Sequence, residues 1–354
     1  MKKTNPITLF KRILPMAIIV FFVVGFKVVS EVEKSSSLNQ LPQGFPPMEI
    51  PEGNEFSLER WQLGKKLFND RILSIDRSIS CGSCHHPHLA FSDSVALSPG
   101  VFNRAGTRNA PSLANIGYHP YFLREGGVPT LEMQVLVPIQ EHNEFNHNIV
   151  EIAKLLQKDS TYVAMSLAAY NRPPDPFVIT RALANYERTF ISGNSRYDQY
   201  AFQGKKKALS PTEKSGMKLF FSDRLQCGSC HGGFNFTNYA IENNGALADY
   251  KDPGRFRFSL DSSDYAKFKV PSLRNVEVTA PYMHNGEVST LKEVIERYDK
   301  GGINHTYKNE RIQPLHLTEI EKDELIQFLY TLTDDTFVKN GSWKELMKHQ
   351  SAKQ

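Results

Sequence analysis

Cysteine is scarce in this sequence, with four in 354 residues, and that scarcity excludes a scaffold held together by many disulfides. Alternation of apolar and polar residues is almost absent too, which leaves little for β-sheet. No basic stretch is interleaved with aromatics. The 42 Lys and Arg are dispersed and stand against 38 Asp and Glu for a net charge of +4, so nucleic acid is excluded as a partner. Tryptophan occurs twice, as Trp61 and Trp343. The rest is ordinary for a folded protein: 40% hydrophobic and 23% charged residues, on a chain long enough for two packed cores.

Acidic residues are also missing from the first 30 positions, where Lys2, Lys3, Lys11 and Arg12 precede a mostly apolar run over 13–26. That pattern is an export signal, either cleaved as a signal peptide or retained as an N-terminal membrane anchor. Residues 31–50 then read as a tether. Either way the body of the protein lies outside the cytoplasm, in the periplasm.

The four cysteines fall in two copies of one motif, "CGSCH" at Cys81, Cys84 and His85 and again at Cys227, Cys230 and His231. A disulfide framework does not explain a histidine directly after each pair. Covalent haem c does, because it needs two thioethers and an axial imidazole. Tetrahedral zinc is the alternative donor chemistry.

The similarity between the halves extends beyond the motifs. "GKKLFND" precedes the first and "GMKLFFSD" the second, and residues 110–134 align without a gap on 270–294. The fold class expected is mainly α, with two cytochrome c-like haem domains related by an internal repeat and joined by long irregular loops. The domains are placed at 51–205 and 206–345. Helices are expected over 58–68, 149–157, 177–189, 211–220, 291–299 and 319–332, two of them opened by capping boxes at Ser210/Glu213 and Thr318/Glu321. On the fifth, Leu291, Val294, Ile295 and Tyr298 share an inward face. Tyr298 is then a core aromatic or an iron ligand, and its counterpart Pro138 cannot be one. In the first half, Glu144 is either a solvated acid or a proton carrier, in what reads as a structured loop after Pro138.

These motifs, with "TRNAPSLAN", "LEMQVLVPIQEHNEF", "VPSLRNV" and "APYMHNGEVSTLKEVIERYDKGG" in the same order, resemble the bacterial di-haem cytochrome c peroxidase family, which includes MauG. The resemblance covers about Leu58 to Leu332. It implies that the haem on His85 is the peroxide-reacting one, with Gln134 and Glu144 in its distal pocket, and that the haem on His231 accepts and passes on electrons. It also implies one Ca2+ between the domains, held by the Asn109 side chain and the backbone carbonyls of Thr279 and Pro281. Hydrogen peroxide would be the substrate and a small c-type cytochrome or other exported donor the partner. A homodimer is in keeping with the family.

Three departures from the family pattern matter. Val101 stands where many of these peroxidases carry a histidine that closes the resting peroxidatic iron, and no histidine lies between His88 and Arg108. His88 and His119 are the side chains left to close it. Counting on from His284 at the family spacing gives Tyr298 in place of a methionine ligand, the MauG-like arrangement, with Met283 as its competitor. The tryptophan expected between the haems is replaced by Leu123 or Arg124. The function implied is peroxide reduction to water; the alternatives are MauG-like oxidation of a protein side chain and a di-haem electron-transfer module.

Overall fold

The computed structural model describes residues 41–340. The expected export signal, the first part of the tether and the last residues of the second domain lie outside the described residues. Among those described, no helix is long and apolar enough to cross a membrane.

The body is mainly helical. In chain order the helices are α1 (Leu58–Asn69), α2 (Leu131–Gln134), α3 (Leu136–Gln140), α4 (Ile149–Leu156), α5 (Ser160–Tyr170), α6 (Pro176–Glu187), α7 (Arg196–Ala201), α8 (Pro211–Phe220), α9 (Cys227–Cys230), α10 (Phe256–Ser259), α11 (Leu291–Asp299), α12 (Glu319–Tyr330) and α13 (Asp335–Asn340). One short antiparallel pair, β1 (Ile241–Glu242) and β2 (Phe268–Lys269), matches Ile241 with Lys269. Long connections fill the remainder.

Local chemistry accounts for the starts. Ser210 and Glu213 form a capping box with Pro211 in the first turn of α8, and Thr318 and Glu321 form another on α12. α5 was not expected from the sequence. Its buried residues Tyr162, Ser166 and Ala169 give no continuous apolar stripe, and it is specified by Asp159 at its start and left-handed Asn171 at its end. Pro138 itself lies in a short helix (α3), near the start of a new turn, where its missing N–H costs little, and Glu144 lies in the turn-rich loop that follows it.

Two helix crossings anchor two cores. α1 packs on α6, and α8 packs on α12. Each crossing is centred on a glycine: a Cβ on Gly64 would lie 1.9 Å from the Ala182 carbonyl oxygen, and one on Gly216 would lie 1.9 Å from that of Glu324. The first core includes Trp61, Phe68, Phe91, Leu183 and Phe190, and the second includes Phe220, Phe236, Leu325 and Phe328.

The cores do not respect the boundary expected at residues 200–210. Tyr197 of α7 packs against the second core, whereas Phe337 and Val338 of α13 belong to the first. Arg274 forms a buried two-pronged ion pair with Asp198 of α7, each bond 2.9 Å. Between the cores, Ser192 donates its N–H to Asn115 Oδ1, accepts from Asn115 Nδ2 at its carbonyl and accepts from Asn275 Nδ2 at its hydroxyl.

Several backbone features occur in pairs. Asn115 and Asn275 are both left-handed, as are Leu123 and Met283. Isolated bridges join Phe122 to Val128 and Tyr282 to Val288.

Candidate haem sites

Each Cys-x-x-Cys-His motif folds as a single helical turn. The His85 N–H donates to the Cys81 carbonyl at 3.0 Å, and the His231 N–H donates to that of Cys227 at 2.8 Å. In the first motif Ser80 and Ser83 exchange bonds that open the turn. None of the four thiols is in a disulfide. Burial pushes all of them up, Cys84 and Cys227 to about 11, so they are held as neutral thiols. Among the described residues no group of three His, Cys, Asp or Glu is placed to hold a metal.

Both histidines are oriented by carbonyls. His85 Nδ1 lies 2.7 Å from the Phe91 oxygen, brought there by a turn with left-handed Ala90 and Phe91. His231 Nδ1 lies 3.1 Å from the Pro271 oxygen and 3.4 Å from that of Phe236. A carbonyl fixes the proton on Nδ1 and leaves Nε2 as the donor atom for iron. Burial lowers both pKa values, that of His231 to about 4, so the rings stay neutral. Thiols, turn and tautomer all fit haem c at both motifs.

Beside the first motif, Glu144 keeps accessible surface, yet enough protein surrounds its carboxyl that burial raises its pKa to about 7, with Glu141 adding to the rise. Its charge is felt by the Cys81 and Cys84 thiols. Gln134 closes α2, partly buried. The loop holding Val101 is pinned to the same place: the Val101 N–H donates to the Glu144 carbonyl at 3.0 Å, and Gly100 packs so closely that a Cβ would lie 1.9 Å from the Asn143 oxygen. Val101 itself is fully buried. His119 is held elsewhere, its Nδ1 3.1 Å from Lys269 Nζ.

Beside the second motif, Tyr298 and Met283 share one neighbour that the sequence reading missed. Asn244 Nδ2 donates to Tyr298 Oη at 3.2 Å and faces Met283 Sδ at 3.5 Å. The Ala246 N–H bonds Asn244 Oδ1 at 3.2 Å, which fixes which end of the amide points to the tyrosine. Burial raises the Tyr298 pKa, and the Asn244 bond opposes that rise.

At the expected calcium site the Asn109 side-chain oxygen is already bonded to a cation of the chain itself. Arg124 Nη2 donates to both Asn109 Oδ1 and the Asn109 carbonyl at 2.8 Å, and Arg124 Nε adds a bond to that carbonyl at 3.0 Å. The nearby carboxylates are already committed, since Arg108 binds Glu125 and both oxygens of Asp252. With an effective dielectric of about 20, a dication about 4 Å from a guanidinium would be repelled by roughly 8 kcal/mol.

Fold and sites together define a c-type cytochrome with two haem-attachment motifs, the first with a carboxyl, Glu144, beside it. Residues 58–207 match the family model described as di-haem cytochrome c peroxidase. The chain is 32% identical over 287 residues to methylamine utilization protein MauG of Methylorubrum extorquens, covering 80% of each. It is 32% identical over 321 residues to cytochrome-c peroxidase IdrP1 of a Pseudomonas species, covering 81% of this chain and 84% of that one. Among solved structures it is similar to a MauG-like protein associated with microbial copper homeostasis, with TM-score 0.80, 32% identity, and 86% of this chain and 97% of that one covered. The chain belongs to the di-haem cytochrome c peroxidase family, and two haems c follow from that membership.

Proposed function

We propose that this protein is a periplasmic di-haem peroxidase that reduces hydrogen peroxide to water with electrons from a small c-type cytochrome. The observation that carries the reading is Glu144, an accessible carboxyl beside the first Cys-x-x-Cys-His turn with a pKa near neutrality. The chain is read as two related haem units, with the paired left-handed residues and bridges as support.

Bound haem supplies the peroxide-accepting iron at the His85 site and electron storage at the His231 site. The reaction takes one peroxide, two electrons and two protons to two waters. Glu144 would take the proton from one peroxide oxygen and return it to the other as the bond between them breaks, while the Gln134 amide would donate a hydrogen bond to the departing oxygen. Val101 offers no side-chain ligand to close the site. The resting, fully oxidised protein should therefore consume peroxide without prior reduction. Stopped-flow mixing with peroxide, with and without reduced cytochrome c, tests both claims; no reaction until an electron is added would overturn the open site.

At the second site Tyr298 would be the side chain that holds the haem iron, its oxygen steadied by Asn244. A phenolate stabilises ferric iron and lowers the potential. That bond favours the second reading, in which a partner protein's side chain replaces the cytochrome as electron source. Peroxide turnover that cytochrome c does not accelerate would select it.

A further inference from the structure

At the junction of the two cores the chain places a cation of its own, the Arg124 guanidinium. Arg124 binds Asn109 with three donors to two oxygens, a set in which a guanidinium's fixed fork does what coordination by a metal would do. The Asn109 amide cannot turn away, because its Nδ2 donates to the Val95 carbonyl at 3.1 Å. Asn109 also reaches across the junction, its N–H donating to the His284 carbonyl at 2.9 Å. The Arg124 carbonyl completes the tie by accepting from the Lys269 N–H at 2.6 Å on β2. One residue thus joins the Asn109 loop, β2 and, through Asn109, the loop before α11.

The sequence left Leu123 and Arg124 as equals at the place of the missing tryptophan. Leu123 is left-handed in the same way as Met283, which puts Arg124 in step with His284. Among the described residues no carboxylate forms an ion pair with Arg124, since Arg108 takes Glu125 and Asp252. The guanidinium's hydrogen bonds to Asn109 therefore go to neutral oxygens, the donor type that otherwise suits a hard cation, with the Glu125 charge acting on it without a direct bond.

We infer that Arg124 stands in for a divalent cation, so that the junction is held by the chain itself and the protein is independent of calcium. The test uses the haem-loaded protein. After passage over chelating resin it should hold no stoichiometric calcium by elemental analysis, and its melting temperature should be the same in EGTA and in CaCl2. Arg124→Ala should melt roughly 4 °C or more lower and regain part of that loss when calcium, but not magnesium, is added. One calcium retained per wild-type chain, or a wild-type melting point that falls in EGTA, would overturn the inference. So would an Arg124→Ala protein that melts like the wild type, or one that is destabilised and indifferent to calcium. If that variant does not accumulate, Arg124→Gln, which removes the charge but keeps a polar side chain, is measured in its place with the same criteria. None of these readouts depends on peroxide turnover, so the inference and the peroxidase reading fail separately.

Discussion

A group that carries a proton between two oxygens has to be available in both states near the working pH, and Glu144, at about 7, is so placed. It must start as the carboxylate, so the peroxide step should slow as pH falls through about 7. Stability runs the other way. A carboxyl whose folded pKa is raised holds its proton more tightly when folded, so its contribution is present in acid and is lost as pH rises from the ordinary carboxylate range to about 7. Glu144→Gln should slow the peroxide step about 100-fold and flatten both profiles, as read by stopped flow and by melts across pH. Tyr298 makes a second residue-scale prediction. Tyr298→Phe should raise the potential of the His231 haem and change its spectrum, while Met283→Leu leaves both intact; the reverse pattern in potentiometry would assign the methionine. The haem cysteines and histidines were legible in the sequence because their spacing is local. Asn244 and Arg124 were not, because their roles depend on partners distant in sequence: Tyr298 for the one, Asn109 and β2 for the other.

At the scale of elements, α8 and α11 coincide with the sequence expectation, and α1, α4, α6 and α12 differ from it only at their ends. Caps and apolar periodicity are written within one segment, so they can be read there. The glycines at the crossings are another matter. In the sequence Gly64 and Gly216 are helix-weakening residues, and only the partner helix explains them, because the backbones approach closer than any side chain permits. Gly64→Ala would gain helix propensity yet should lose stability, by about 2 kcal/mol or more, as should Gly216→Ala. Denaturant melts of the two variants check this, and a stabilised variant would mean that the crossing relaxes at little cost.

At the scale of the whole molecule, the exchange of α7 and α13 between the cores changes what a cut would do. The sequence places a boundary in the exposed lysine-rich stretch at 204–207, and by composition that is where a linker belongs. The chain before it ends in a helix built into the second core, and the chain after it ends in one built into the first. Ser192 and the buried Arg274–Asp198 pair lie on the same fastening. The halves are clasped at both ends. Trypsin acting at Lys205, Lys206 or Lys207 should therefore produce two fragments on a denaturing gel that still elute together in gel filtration, with both haem spectra unchanged. Separation of the fragments would show that the clasp is too weak to hold. A protein that survives such a nick whole keeps its electron path after damage to its most exposed peptide bonds, a form of durability that a pair of beads on a string would lack.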